Sequence, residues 1–275
     1  MNLKNMNSLV SIIGIALTLI FGSCSSNDDQ NYQPPVTSDP DESFDNIEFY
    51  LTTPDESNLV RLQETGLQSV TENNFFSINV DENETYQTMD GFGFTLTGGS
   101  AIHINNMSSS ARSSLLNDLY GSNGVHSNYV RISIGASDLD PAPFSYNDLP
   151  AGQTDPNLNN FSIAPDLTNL VPVLQEITQI NPDIKILGSP WSAPIWMKSN
   201  QSTVGGELLP EHYSTYADYF VKYIQAMQAE GITIDAITIQ NEPENPFNNP
   251  SMVMTANQQA DFIANHLGPA FQQAS

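Results

Sequence analysis

Four strand–helix units in series predict an α/β fold with a parallel sheet, of the (β/α)8 TIM-barrel type. Three observations carry the expectation. Short β-branched runs, "YVRISIG", "IKILGSPW" and "IDAITIQ", alternate with longer segments whose apolar residues recur at the 3.6-residue period. A Gly-rich run, "MDGFGFTLTGG", precedes them as a further strand with its loop. The loops behind the strands are long, which suits a barrel better than a compact doubly wound sheet.

The elements follow in order. A helix is expected from Ser108 to Tyr120, capped by the serine and stopped by Gly121. Asp166 is expected to cap a second helix, with Leu167, Leu170, Val171, Leu174 and Ile177 on one face, ending at Asn181-Pro182. Pro210 opens a third, with Tyr213, Tyr216, Ala217, Phe220, Val221, Ile224 and Met227 at helical spacing, stopped by Gly231. Thr255 with Gln258 has the pattern of a capping box and opens a fourth. A whole barrel needs four more such units, so residues 87–275 are expected to be its N-terminal half, inactive when isolated.

Ahead of the barrel the chain changes character. Leu9 to Phe21 is an apolar run too short to span a bilayer comfortably, and with Lys4 before it residues 1–23 read as a signal peptide. Cys24, the one cysteine of the chain, follows at once in "FGSCSSNDD". Its place resembles the lipobox of bacterial lipoproteins, in which the cysteine carries the lipid, and implies an outer-membrane lipoprotein; plain cleavage and secretion to the extracellular space is the alternative. Residues 24–45 are polar and acidic and read as a tether. Within 46–86, "IEFYLTT", "VRLQET" and "FFSINV" read as strands of a small sheet.

The chain has 275 residues, 39 % of them hydrophobic, which supports a sizeable core. Its 31 acidic residues face 7 Lys+Arg, for a net charge of −24. Such a field repels nucleic acid and anionic headgroups. No nucleic-acid partner is expected, and membrane contact only through an N-terminal lipid. His103, His126, His212 and His266 are scattered without metal-ligand spacing, so no metal or organic cofactor is expected. The sequence holds no Gly-x-Ser-x-Gly elbow, phosphate loop or His-Glu-x-x-His.

What remains is carboxylate chemistry. "IQNEPENP" puts Glu242 at the tip of the fourth strand, where a barrel gathers its catalytic groups, and Pro243 ends the ladder behind it. Asn241 stands beside it with an amide to offer. Arg131 lies inside an apolar strand, where a buried guanidinium calls for a carboxylate partner. Trp191 and Trp196 both follow the third strand, and an aromatic face there suits the apolar face of a sugar. Trp196 reads equally well as core, and Glu244 reads as a solvated loop acid.

"DGFGFTLTGGSA", "NYVRISIGASDLD", "ILGSPWSAPIWMKSN", "YADYFVKYIQAMQAEGITIDAITIQNEP" and "NHLGPAF" together resemble glycoside hydrolase family 30. The resemblance implies a TIM barrel with a flanking β-sandwich, to which the early strands would belong. It implies a retaining β-glycosidase acting on β-glucan, with Glu242 as general acid/base. Arg131, Asp138, Trp191 and Asn241 match positions lining the sugar subsite, and the nucleophile matches no residue of this chain. The motif departs at Gly98, where the glucosylceramidase-like branch carries an aspartate. That departure favours β-1,6-glucan as substrate. A glucosylceramidase-like or xylan-directed relative, or a non-catalytic glycan-binding lipoprotein, is the alternative.

Overall fold

A computed structural model describes residues 47–66, 74, 76, 78, 81 and 83–274. The segments read as signal peptide and tether, Cys24 included, lie outside the described residues, as does most of the strand expected at 75–80. The chain divides into two compact units, Met1–Gln87 and Thr88–Ser275.

In the first unit β1 (Ile47–Leu51) and β2 (Arg61–Thr65) pair antiparallel, with Ile47 opposite Thr65 and Leu51 opposite Arg61. The turn between them is closed by Thr53, whose N–H donates to Asn58 O at 2.9 Å, and by Asp55 Oδ1, which accepts from the Ser57 hydroxyl at 2.9 Å.

The second unit holds a four-stranded parallel sheet whose strands stand in chain order: β3 (Gly93–Leu96), β4 (Tyr129–Ile134), β5 (Lys185–Pro190) and β6 (Ala236–Ile237). The connections carry α1 (Gly98–Asn105), α2 (Ser109–Tyr120), α3 (Leu170–Ile180) and α4 (Tyr213–Ala229). After β6 come α5 (Ala256–Phe262), a π-helical turn (Ile263–Leu267) and α6 (Gly268–Ala274). Among the described residues no helix is long and apolar enough to cross a membrane.

The local chemistry explains most boundaries. Ser108 caps α2 by accepting from Ala111 N at 3.3 Å. Thr255 and Gln258 form the capping box, each satisfying the other's backbone N–H. α3 buries Leu170, Val171, Val173, Leu174 and Ile177 against the sheet residues Val130, Ile132 and Ile186 in one core cluster. Each such side chain contributes roughly 1.5–3 kcal/mol. α4 buries more of its girth than one stripe requires. Tyr219 and Tyr223 go inside with Tyr216 and Phe220, and the Tyr223 and Tyr146 rings stack at 5.6 Å.

Three local expectations need correction. Gly98 and Gly99, expected in the loop of the Gly-rich strand, instead open helix α1. Those glycines are demanded by packing: a Cβ at Gly98 would lie 2.0 Å from Asp140 Oδ1, and one at Gly99 2.1 Å from Leu139 O. Thr97 supplies the cap, its hydroxyl accepting from Ser100 N at 3.1 Å. Asp166 does not cap α3. It starts a 3-10 turn (Asp166–Thr168), and its carboxylate turns inward to accept the Tyr146 hydroxyl. "IDAITIQ" has regular strand geometry only at Ala236–Ile237, yet its backbone keeps pairing with β5. Asp235 N, Thr238 N and Asn241 N donate to Ile186 O, Gly188 O and Pro190 O at 2.9, 2.9 and 2.7 Å.

Candidate active site

That last bond sets the site. By holding Asn241, four residues beyond β6, against the end of β5, it brings that residue level with Trp191, the residue after β5. Gln240 reinforces the junction, its side-chain amide donating to Trp191 O at 2.7 Å and Asn241 O at 2.9 Å. Arg131 points up from β4 into the same place. Its Nη2 donates to Ser189 Oγ at 2.9 Å and to Asn241 Oδ1 at 2.7 Å, and its Cζ lies 4.7 Å from the centre of the Trp191 ring. Such cation–π contact stabilises by about 0.5–2 kcal/mol.

The arginine's environment differs from the one its sequence context suggested. Among the described residues no carboxylate pairs with it directly. Its hydrogen-bond partners are neutral, so burial pulls its pKa down, opposed by the charges of Glu242 and then Asp138. Asp138 is exposed on the loop after β4 and reaches the cluster by its field alone. Arg131, Trp191 and Asn241 are thus brought into contact, with Glu242 next to them and Asp138 at the margin.

The arginine also decides how Asn241 is oriented. A guanidinium only donates, so the amide oxygen must face it. The Nδ2 group is left to donate outward. Trp191 is 5 % exposed with the guanidinium over its ring, so stacking a sugar on that face is ruled out. Its Nε1 is buried with no acceptor among the described residues. Trp191 therefore serves as the surface on which Arg131 rests. Trp196 belongs to the core: its Nε1 donates to Asn147 O and Oδ1, both at 3.0 Å. Glu244 is exposed, in keeping with a solvated loop acid.

Glu242 is exposed at the tip with φ +42°, a left-handed conformation that strains a non-glycine residue by about 1–3 kcal/mol. Its Oε2 accepts from Asn245 Nδ2 at 2.8 Å and Asn248 Nδ2 at 2.7 Å. The sequence reading named neither asparagine; the "NPFNN" that follows the acid was the available signal. It also missed Lys198, which is 1 % exposed. Its Nζ donates to Ser202 O and Ser251 O, both at 2.7 Å, and to Thr203 O at 3.4 Å. These carbonyls belong to the loops after β5 and after β6, so the lysine ties the far end of the Glu242 loop to its neighbour. Burial pushes the amine down to about 7.

A parallel α/β sheet that gathers an acid, an oriented amide and a guanidinium–indole pair at the carboxyl ends of its strands defines the class: an α/β-barrel domain with a carboxylate-bearing polar site. The chain belongs to glycoside hydrolase family 30, whose TIM-barrel domain matches residues 89–275. It is 40 % identical to an endo-1,6-β-D-glucanase of Neurospora crassa over 74 % of this chain and 44 % of that protein. It is 37 % identical to the endo-1,6-β-D-glucanase BGN16.3 of Trichoderma harzianum, over 72 % of this chain and 44 % of that one. The chain thus spans less than half the length of these curated relatives. Among solved structures it is similar to the endo-β1,6-glucanase BT3312, with TM-score 0.70 and 34 % identity, over 84 % of this chain and 50 % of that one.

Proposed function

We propose that this chain is part of a retaining β-glycoside hydrolase acting on β-1,6-glucan, with Glu242 as general acid/base. The observation that carries the reading is the Arg131–Asn241 bond, which turns the Asn241 amide outward beside Glu242. In a retaining mechanism one carboxyl group attacks the anomeric carbon while the other protonates the departing oxygen. The second then deprotonates the water that releases the sugar. Glu242 takes that second role, and a residue outside this chain supplies the nucleophile. Asn241 Nδ2 donates to a hydroxyl of the bound sugar, and Arg131, which covers the Trp191 ring, fixes its orientation. The likeness to endo-1,6-β-D-glucanases supports the linkage.

The test uses the full-length enzyme. Glu242→Gln should cut turnover at least a hundredfold on a β-1,6-gluco-oligosaccharide. The loss should be far smaller on an aryl β-glucoside with a good leaving group, which needs little protonation to depart. Added azide should restore part of the activity, because a small anion attacks the intermediate without a general base. Equal losses on both substrates, without rescue, would show Glu242 to be structural.

The same proposal places the protein at the cell surface, anchored by a lipid on Cys24. The position of Cys24 directly behind an apolar leader supports it. Cys24→Ser should move the protein from the membrane fraction to the soluble one; unchanged membrane association would refute the anchor.

A further inference from the structure

The loop that follows Glu242 carries an aromatic residue that, among the described residues, no core or site side chain covers. Phe247 is 85 % exposed. An exposed phenylalanine on a mobile loop would mean little, but this loop is held at several points. Asn245 N donates to Glu242 O at 2.9 Å, Asn245 Nδ2 and Asn248 Nδ2 grip Glu242 Oε2, and Phe247 N donates to Asn245 Oδ1 at 3.1 Å. Behind it, Ser251 is fixed through its carbonyl to Lys198 and through its N–H to Thr203 O at 2.9 Å. Phe247 therefore sits between two residues bonded to one oxygen of the acid.

We propose that Phe247 is the platform for the leaving-group sugar, stacking against the apolar face of the pyranose that departs when the glycosidic bond breaks. The inference rests on the glycosidase reading above. A general acid must lie beside the departing oxygen, within hydrogen-bond reach. The sugar attached to that oxygen is then carried past the acid and over the loop that grips it. A pyranose offers a face of C–H groups, and an aromatic ring on a held backbone offers a flat apolar surface with only two side-chain torsions to order. The neighbouring amides each spend an N–H on Glu242, and the ring is the apolar surface that the loop adds beside them.

The experiment compares two substrates in the full-length protein. A β-1,6-gluco-oligosaccharide has a sugar as leaving group; β-gentiobiosyl fluoride has none. For Phe247→Ala, the ratio of kcat/KM on the oligosaccharide to that on the fluoride should fall about fivefold to tenfold. Phe247→Trp should keep that ratio near the wild-type value. Transfer of the glycosyl intermediate to added gentiobiose, relative to its hydrolysis, should fall in the alanine variant, because the acceptor uses the same platform. An unchanged ratio in Phe247→Ala, or equal losses on both substrates, overturns the assignment while leaving the glycosidase reading standing. A wild-type enzyme inactive on both substrates overturns the two together.

Discussion

Arg131 Nη2 and Asn241 Oδ1 lie 2.7 Å apart across 110 residues of chain. The bond joins the middle of β4 to the segment that continues β6 along β5, with Ser189 of β5 as a second acceptor between them. One guanidinium therefore spans three adjacent strands and fixes the rotamer of the amide next to the acid. Its two jobs, donating in plane and covering the Trp191 ring, need a flat, delocalised cation.

Arg131→Lys should fail for that reason. A lysine keeps the charge but cannot both reach two acceptors in plane and cover the indole. In the full-length enzyme we expect kcat/KM on a β-1,6-gluco-oligosaccharide to fall at least tenfold, with thermal stability reduced by about 1–3 kcal/mol. Kinetics and differential scanning calorimetry check the two parts. A variant with wild-type kcat/KM would mean that the orientation of Asn241 is set elsewhere.

Lys198 is expected to matter for shape. Lys198→Met keeps the apolar stem but takes the donor from the half-buried Ser202 carbonyl and the buried Ser251 carbonyl, one on each loop. Each such loss destabilises by about 1–3 kcal/mol, so the total should be on the order of 2–5 kcal/mol. Hydrogen exchange should rise first at Ser251 and Val253, whose N–H groups donate to Thr203 O and Gly206 O across the two loops. Unchanged exchange at those amides would show that the pairing holds without the lysine.

Part of this was legible in the sequence. Glu242, Asn241 and Arg131 stood out because each breaks an apolar pattern at or within a strand, and the helices from Ser109, Tyr213 and Ala256 announced themselves by spacing and caps. What could not be read depends on distant partners. Nothing around Lys198 marks it in the sequence, because Ser251, whose carbonyl it bonds, lies 53 residues further along the chain. Asp166 looked like a cap because its true partner, the Tyr146 hydroxyl, lies twenty residues upstream in a long loop. The tryptophan face looked open to a sugar because nothing local shows that Arg131 covers it.

Gly98 offers a test of packing. A side chain there would run into Asp140, whose Oδ2 already accepts from the Ser137 N–H and hydroxyl, both at 2.7 Å. Gly98→Ala should destabilise the protein by about 1–3 kcal/mol despite the better helix propensity of alanine. In Gly98→Ala/Asp140→Ala the two losses should not add, because removing the carboxylate removes the clash. Strict additivity in the double-mutant cycle would place the strain elsewhere.

The last prediction concerns pH and Asp166. Its carboxyl is 5 % exposed and lines a cavity of about 220 Å³ with Asp140 and Phe144. Burial pushes it up to about 7; the Tyr146 hydroxyl bond opposes that shift, and the charge of Asp140 adds to it. In the unfolded chain an aspartate titrates near 4. Between those values the folded protein holds a proton that the unfolded chain has released. Stability from this group is therefore fully present below pH about 4 and is lost as pH rises to about 7. The gap corresponds to on the order of 4 kcal/mol. Asp166→Asn keeps an oxygen to accept from Tyr146 and removes the titration. The wild type should lose stability relative to the variant as pH rises from 4 to 7, with the difference constant above 7, as read by urea unfolding at stepped pH. Parallel stability curves for the two proteins across that range would mean that Asp166 is already ionised in the fold and that the cavity is wetter than its lining suggests.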